Sequence, residues 1–154
     1  MDLPPGLVHI VAQTHLFTDA RDYVILRTAP DQAGAAENLF SKLDEPFSAL
    51  VRDKDEVTLV LPVDVWEKEQ PFLDVLDESA NYRLITFDLP LELGLVGYLA
   101  TLASTVADEG VSIFSVSAFS RDHIFVPEED FERAWDALRA LIRSCQTQEE
   151  ELEV

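Results

Sequence analysis

The chain has 154 residues, of which 47% are hydrophobic and 27% charged, a composition typical of a globular protein with one domain or two small modules. Acidic residues outnumber basic ones 30 to 11, and the formal net charge is −19. This balance argues against nucleic acid and anionic membranes as partners, because both attract clustered Lys and Arg. A basic protein surface or a cationic small ligand fits better, and the alternative is that the charge serves solubility alone.

Few residues suit metal binding or covalent chemistry. Cys145 is the only cysteine, so no intrachain disulfide can form. The histidines, His9, His15 and His123, are scattered; His9 and His15 fall on one face of a predicted strand, but a metal site built on these two has no obvious third ligand. We therefore expect no metal site and no cofactor. No apolar run reaches membrane-spanning length and no positively charged segment precedes an apolar one at the start, which leaves a cytoplasmic location as the default expectation.

The first half alternates strand and helix patterns. Residues 7–15 and 22–28 read as strands, and residues 33–43 as a helix with Leu39, Phe40 and Leu43 on one face. Residues 46–62 predict a hairpin that turns at positions 53–55. Residues 63–79 are helical in part, with Pro71 starting or breaking a helix.

The second half shows the same order. Residues 82–90 predict a strand, and residues 93–110 a helix that stops at Gly110. Strands follow at 111–119 and 123–127, and a last helix at 128–144 has acidic residues at its start and Arg139 and Arg143 near its end, where the helix dipole favours them. The tail, 146–154, is predicted to be acidic and disordered.

An internal repeat relates the two halves. Residues 56–73, EVTLVLPVDVWEKEQPFL, align without gaps with residues 121–138, RDHIFVPEEDFERAWDAL. Each half reads strand–helix–strand–strand–helix, which predicts an α+β protein of two ferredoxin-like (βαββαβ) modules, with antiparallel sheets and helices on one face. The predicted modules are 1–80 and 81–145. The spare strand at 7–15 could complete one of the two sheets. Our hypothesis is that it completes the sheet of the second half.

Residues 89–130, LPLELGLVGYLATLASTVADEGVSIFSVSAFSRDHIFVPEED, resemble the ACT domain, in particular the small paired-ACT proteins and the related arginine sensors of the CASTOR type. The resemblance rests on Gly97, on the turn ADEGVSIFSVSAF, and on Asp122 before IFVPEED. It covers about residues 82–142, and the first half is assigned from the repeat. It implies a regulatory protein without catalytic groups that binds an amino acid between ACT modules. Such modules commonly assemble side by side, so the expected protein partner is a second copy, in a homodimer, or a basic protein.

The resemblance also implies a site between the start of the first helix and the loop joining the second and third strands of the module. The residues at those positions are Leu93, Gly94, Leu95, Val96, Gly97, Ala118, Phe119, Ser120 and Asp122. A helix N-terminus offers N–H groups to a carboxylate. Asp122 can pair with an ammonium or guanidinium group, and Phe119 can cover a ligand's apolar part. Arginine-sensing relatives carry an acidic residue two positions before the glycine that matches Gly97; here Leu95 stands there, so arginine is not implied as the ligand.

Each of these residues also has a purely structural interpretation. Gly94 and Gly97 could ease entry into the helix, Asp122 could cap a turn, and Phe119 could belong to a core or module interface. Arg121, in the same loop, could neutralise Asp122. The second function class is therefore an interaction or homodimerisation module with a vestigial ligand site. Catalysis is not expected, since no nucleophile elbow, P-loop or dinucleotide fingerprint is present.

Overall fold

The computed structural model describes residues 2–154. In chain order the elements are α1 (Pro5–Ala12), β1 (Leu16–Phe17), β2 (Asp22–Thr28), α2 (Ala33–Ser41), β3 (Ala49–Arg52), β4 (Val57–Pro62), α3 (Val63–Glu69), β5 (Asp77–Glu78), β6 (Tyr82–Phe87), α4 (Tyr98–Asp108), β7 (Phe114–Ser117), β8 (Asp122–Pro127) and α5 (Phe131–Leu152). None of the described helices is long and apolar enough to cross a membrane. The expectation of an α+β protein with antiparallel strands is confirmed.

The chain divides into two compact units. The central unit is Ala20–Arg83, and the terminal unit combines the residues up to Asp19 with Leu84–Val154. One limit of the central unit is therefore close to the predicted boundary at residue 80. The N-terminal segment, however, groups with the second half of the chain, and its β1 pairs with β6 in the terminal unit.

The central unit follows the predicted order of strands and helices. β2 pairs antiparallel with β4, β3 pairs with β4, and β5 pairs with β2 through Leu26 and Glu78. β4 is buried along most of its length, and its alternate residues Val57, Leu59 and Leu61 lie on one face, as the two-residue period of a strand requires. They form a core with Leu39 of α2 and Trp66 of α3.

The terminal unit is built from β6, α4, β7, β8 and α5, preceded in the chain by α1 and β1. β1 pairs antiparallel with β6, β6 lies next to β8, and β7 pairs with β8. The three helices pack on alternate residues of β6 and β8 in one core; its buried members include Val8, Val11, Ile85, Phe87, Leu102, Val106, Ile124, Val126, Ala134 and Leu138. A short strand of the N-terminal segment thus pairs with the first strand of the second half.

The predicted strand at residues 7–15 is wrong. The segment forms α1, and only Leu16–Phe17 beyond it pairs with a strand. The buried residues Val8, Val11 and Ala12 are spaced three and four apart, which is the period of a helix face. Pro5 stands at the first helical position, where its missing N–H costs no hydrogen bond.

The predicted disordered tail is also wrong. α5 continues to Leu152, so Arg139 and Arg143 lie in the middle of the helix and not at its negative end. Contacts with α1 support the extension: Gln146 Nε2 donates to the carbonyl oxygen of Ala12 at 3.1 Å, and Glu149 contacts His9.

Candidate functional site

A glycine sets the start of α4. Gly97 precedes the helix with φ +89°, in the left-handed region that favours glycine. Among the described residues no side chain caps this end. Because the first-turn N–H groups of a helix have no intrahelical acceptor, the start of α4 presents donors and a partial positive charge.

The turn between β7 and β8 is closed by two hydrogen bonds. The Ala118 N–H donates to the Arg121 carbonyl at 2.9 Å, and Ser117 Oγ donates to Asp122 Oδ1 at 2.7 Å. The turn is therefore ordered by its own groups, and Asp122 keeps a second carboxylate oxygen for other partners.

The loop before α4, residues 88–97, is tied to this turn. The Leu91 N–H donates to the Ser120 carbonyl at 2.7 Å, and Arg121 Nε donates to Asp88 Oδ1 at 2.8 Å. Arg121 thus pairs with Asp88. The two segments that the sequence singled out lie side by side within the terminal unit.

A cavity of about 300 Å³ opens between them, and we call it the ligand cleft. Its lining residues are Leu91, Glu92, Leu93, Leu95, Gly97, Tyr98, Leu99, Ala100, Ser117, Ala118, Phe119, Ser120, Arg121 and Asp122. Seven of the nine proposed site residues are among them. Gly94 and Val96 are not; they line a neighbouring cavity of about 580 Å³ with Ile10 and Gln13.

Several lining residues were not proposed from the sequence. Leu99 and Ala100 belong to the first turn of α4, and they were missed because the helix was predicted to begin near residue 93. Glu92 supplies a carboxylate from the loop, and its position before the turn into α4 was the available signal. With Asp122, it gives the ligand cleft two acidic side chains.

Tyr98 anchors the first residue of α4 to the N-terminal segment. Its side chain is buried, and its hydroxyl lies 2.7 Å from Thr14 Oγ1, which itself bonds the Ile10 carbonyl. Burial, with a smaller contribution from the charge of Asp122, raises the pKa of Tyr98 to about 12, although the bond to Thr14 opposes this. The tyrosine is therefore a neutral structural group at neutral pH.

His123 lies next to Asp122 at the start of β8. Its Nδ1 is 2.8 Å from Thr86 Oγ1, and burial lowers the pKa of its imidazole. The imidazole is therefore neutral near pH 7. Among the described residues, no group of three or more His, Cys, Asp or Glu could hold a metal ion. The groups that line the ligand cleft include the first-turn N–H donors of α4, the carboxylates of Glu92 and Asp122, and the guanidinium group of Arg121.

Exposed apolar side chains surround the ligand cleft. Leu93 is 71% exposed, Val96 83% and Phe119 79%. We call these three residues the apolar rim. Such a group, next to a concave polar site, is typical of a surface that contacts a ligand or another protein.

Comparison with known proteins identifies a domain over this region. Residues 78–140 match the family model described as an ACT domain. The ligand cleft lies within the matched residues. No curated protein matches the sequence.

Solved structures extend the similarity to most of the chain. A Vibrio cholerae protein of unknown function, described as a possible transport protein, is 28% identical with a TM-score of 0.66, covering 86% of this chain and 94% of that one. An Agobacterium tumefaciens protein is 24% identical with a TM-score of 0.65, over 84% and 89%. The regulatory subunit of aspartate kinase from Thermus thermophilus is 19% identical with a TM-score of 0.60, over 82% and 95%. For the Agobacterium and Thermus proteins, whose identities are 24% and 19%, the similarity is one of fold.

Proposed function

We propose that this chain is a non-catalytic regulatory protein that binds an amino acid in the ligand cleft. The observation that carries the proposal is the cavity at the uncapped N-terminus of α4, bounded by the β7–β8 turn and lined by Glu92 and Asp122. ACT domains bind small molecules such as amino acids, and the matched residues include this cavity. The similarity to the regulatory subunit of aspartate kinase agrees with a regulatory role.

The residues of the cleft suit an amino acid in one orientation. The ligand's carboxylate accepts from the first-turn N–H groups of α4, near Leu99 and Ala100. Its ammonium group contacts the carboxylate of Glu92 or Asp122. The arginine-sensing relatives carry an acidic residue where this chain has Leu95. In this proposal Glu92 supplies the carboxylate instead.

The apolar rim links binding to regulation. We propose that each unit is a ferredoxin-like ACT module and that the rim residues Leu93, Val96 and Phe119 contact an ACT module of a second copy. A ligand held between the cleft and that module favours the packed state, because it binds that state more tightly than the open one. The proposed relation to arginine sensors stays a prediction.

The second candidate function is an interaction module with a vestigial site. The exposure of the apolar rim favours it, since the rim side chains are available to a partner without any ligand. The two functions differ in the ligand dependence of assembly. Light scattering with and without the ligand, on the wild type and on Phe119→Ser, separates them: assembly that needs the rim but no ligand supports the interaction module.

A thermal-shift screen against the twenty amino acids tests the leading proposal. A ligand at one hundred times its dissociation constant adds about 2.7 kcal/mol of stability, which is easily measured. We expect one or a few amino acids to raise Tm for the wild type and for the control Asp136→Ala, which changes a carboxylate of α5 outside the cleft. Asp122→Ala and Glu92→Gln should reduce the shift. A wild type that responds to no amino acid contradicts the proposal.

A further inference from the structure

A second cleft of the terminal unit lies between α5 and the residues leading into β1. We call it the α5 cleft; its volume is about 270 Å³. Its lining residues are Thr14, His15, Leu16, Trp135, Arg139, Ile142, Arg143 and Gln146. None of them is acidic, although the chain carries 30 Asp and Glu residues. The α5 cleft shares no residue with the ligand cleft.

The two arginines of the α5 cleft are unlike the others. The remaining six arginines, at positions 21, 27, 52, 83, 121 and 133, each form an ion pair with a carboxylate. Arg139 and Arg143 form none with any described residue. They stand four positions apart in one helix, a spacing at which two like charges repel. The negative end of the helix dipole does not stabilise their charges either, because α5 ends nine residues beyond Arg143.

The surroundings of the two guanidinium groups are those of a binding site for an anion with an apolar part. Trp135 and Ile142 supply apolar wall, and Trp135 packs on Phe131 with ring centroids 5.4 Å apart, which holds the indole in place. Gln146 is held by its bond to the Ala12 carbonyl. Guanidinium groups recognise carboxylate and phosphate oxygens through paired N–H donors.

We propose that the α5 cleft binds a small organic dianion, a phosphate monoester or a dicarboxylate, through Arg139 and Arg143, with its hydrocarbon part against Trp135 and Ile142. The strongly acidic remainder of the chain repels anions in general. Binding at this cleft is therefore selective for ligands that engage both arginines at once. This site is independent of the amino acid proposed for the ligand cleft.

The test is a nuclear magnetic resonance titration of the full ¹⁵N-labelled chain with inorganic phosphate and, separately, succinate. Sodium chloride keeps the ionic strength constant, because bulk screening also moves signals. We expect saturable shifts of the Trp135 indole N–H and of the Arg139 and Arg143 side-chain signals. We expect saturation at anion concentrations below about 10 mM. This limit allows for binding that is weaker than the usual range of KM values of enzymes, which ends at about 1 mM. Tighter binding of phosphate or of succinate identifies the ligand's charged group.

Variants decide whether the arginines carry the binding. Arg139→Gln and Arg143→Gln change exposed side chains and should leave the fold intact. Each should weaken binding about tenfold or more, the usual effect of losing a charge-assisted contact. Arg52→Gln makes the same charge change in the central unit and should leave the affinity unchanged. No saturable shift with either anion, shifts outside the α5 cleft, or equal weakening by Arg52→Gln would overturn the proposal.

Discussion

Gly97 holds a backbone conformation that other residues adopt only with strain. Its φ is +89°, and a Cβ at this position would lie 3.2 Å from Leu7 Cδ1. Gly94, three residues earlier, has neither feature: a Cβ there would have no described atom within 4 Å, and its φ is not positive. The two glycines that the sequence placed together therefore have different roles.

We predict that Gly97→Ala lowers the free energy of unfolding by about 1–2 kcal/mol, the cost of a left-handed conformation in a residue with a Cβ. Gly94→Ala is the matched control and should change it by less than about 0.5 kcal/mol. Urea denaturation of both variants measures the difference. Equal effects of the two substitutions would show that α4 does not begin as described.

Because the pKa of Tyr98 is raised in the folded protein, we predict a loss of stability at alkaline pH. An unfolded tyrosine titrates near pH 10, whereas the pKa of Tyr98 is about 12 in the folded protein. Between these values the folded state binds more protons than the unfolded state, so stability falls as the pH rises above 10 and the loss is complete above 12. The full effect is about 3 kcal/mol.

Denaturation of the wild type and Tyr98→Phe between pH 8 and alkaline pH tests this prediction. Tyr98→Phe should be less stable near neutral pH by about 0.5–1.5 kcal/mol, because it loses the hydrogen bond to Thr14. It should also lose less stability above pH 10. Tyr82→Phe, which leaves Tyr98 in place, should keep the wild-type decline; a parallel decline in Tyr98→Phe would rule out the buried phenol as its cause.

At the scale of elements, shortening α5 tests whether residues 146–152 form a helix that packs on α1. Gln146 and Glu149 bond to α1 residues, and seven helical residues, 146–152, follow Cys145. A chain that ends at Cys145 should lose about 1–2 kcal/mol of stability, the sum of a hydrogen bond and an exposed ion pair. A chain that ends at Leu152 is the control and should match the full chain. If both truncated chains are as stable as the wild type, the tail does not pack on α1.

The elements differ in how far sequence can predict them. β4 and β8 are predictable because each is a short, nearly continuous apolar run that a proline ends. Pro62 and Pro127 have nearly equal ψ values of 142° and 138° before their helices. α1 is not, because its short apolar run, LVHIVA, fits either period and only packing against α5 selects the helix. The charges of the tail suggest solvation, while its hydrogen bonds to α1 join residues more than 130 positions apart in sequence.

The same division applies to the candidate site. The β7–β8 turn can be located from its loop residues and the family resemblance, whereas the start of α4 at Tyr98 lies five residues beyond the predicted one near residue 93. The contribution of Glu92 and the pairing of Arg121 with Asp88 depend on the path of the loop at 88–97, which local sequence does not determine. The position of Arg139 and Arg143 far from a helix end depends on the true length of α5.

At the scale of the whole molecule, the net charge of −19 should oppose folding through self-repulsion. The ion pairs of the chain are largely exposed, and screening them costs little stability. We therefore expect Tm to rise by roughly 2–4 °C, or about 1 kcal/mol for a chain of this size, when salt shortens the Debye length from about 30 Å to about 8 Å. Sodium and potassium chloride should act equally. A fall in Tm with salt would mean that ion pairs outweigh the repulsion.

We propose above all that an amino acid binds at the N-terminus of α4 against the β7–β8 turn. The most direct test is a ¹H–¹⁵N spectrum of the wild-type chain with pools of the twenty amino acids. Each amino acid is present at about 1 mM, the upper end of typical KM values for small ligands. We predict that at least one pool shifts the amide signals of residues 91–100 and 117–122 together. Shifts confined to other residues, or none with any pool, would contradict it.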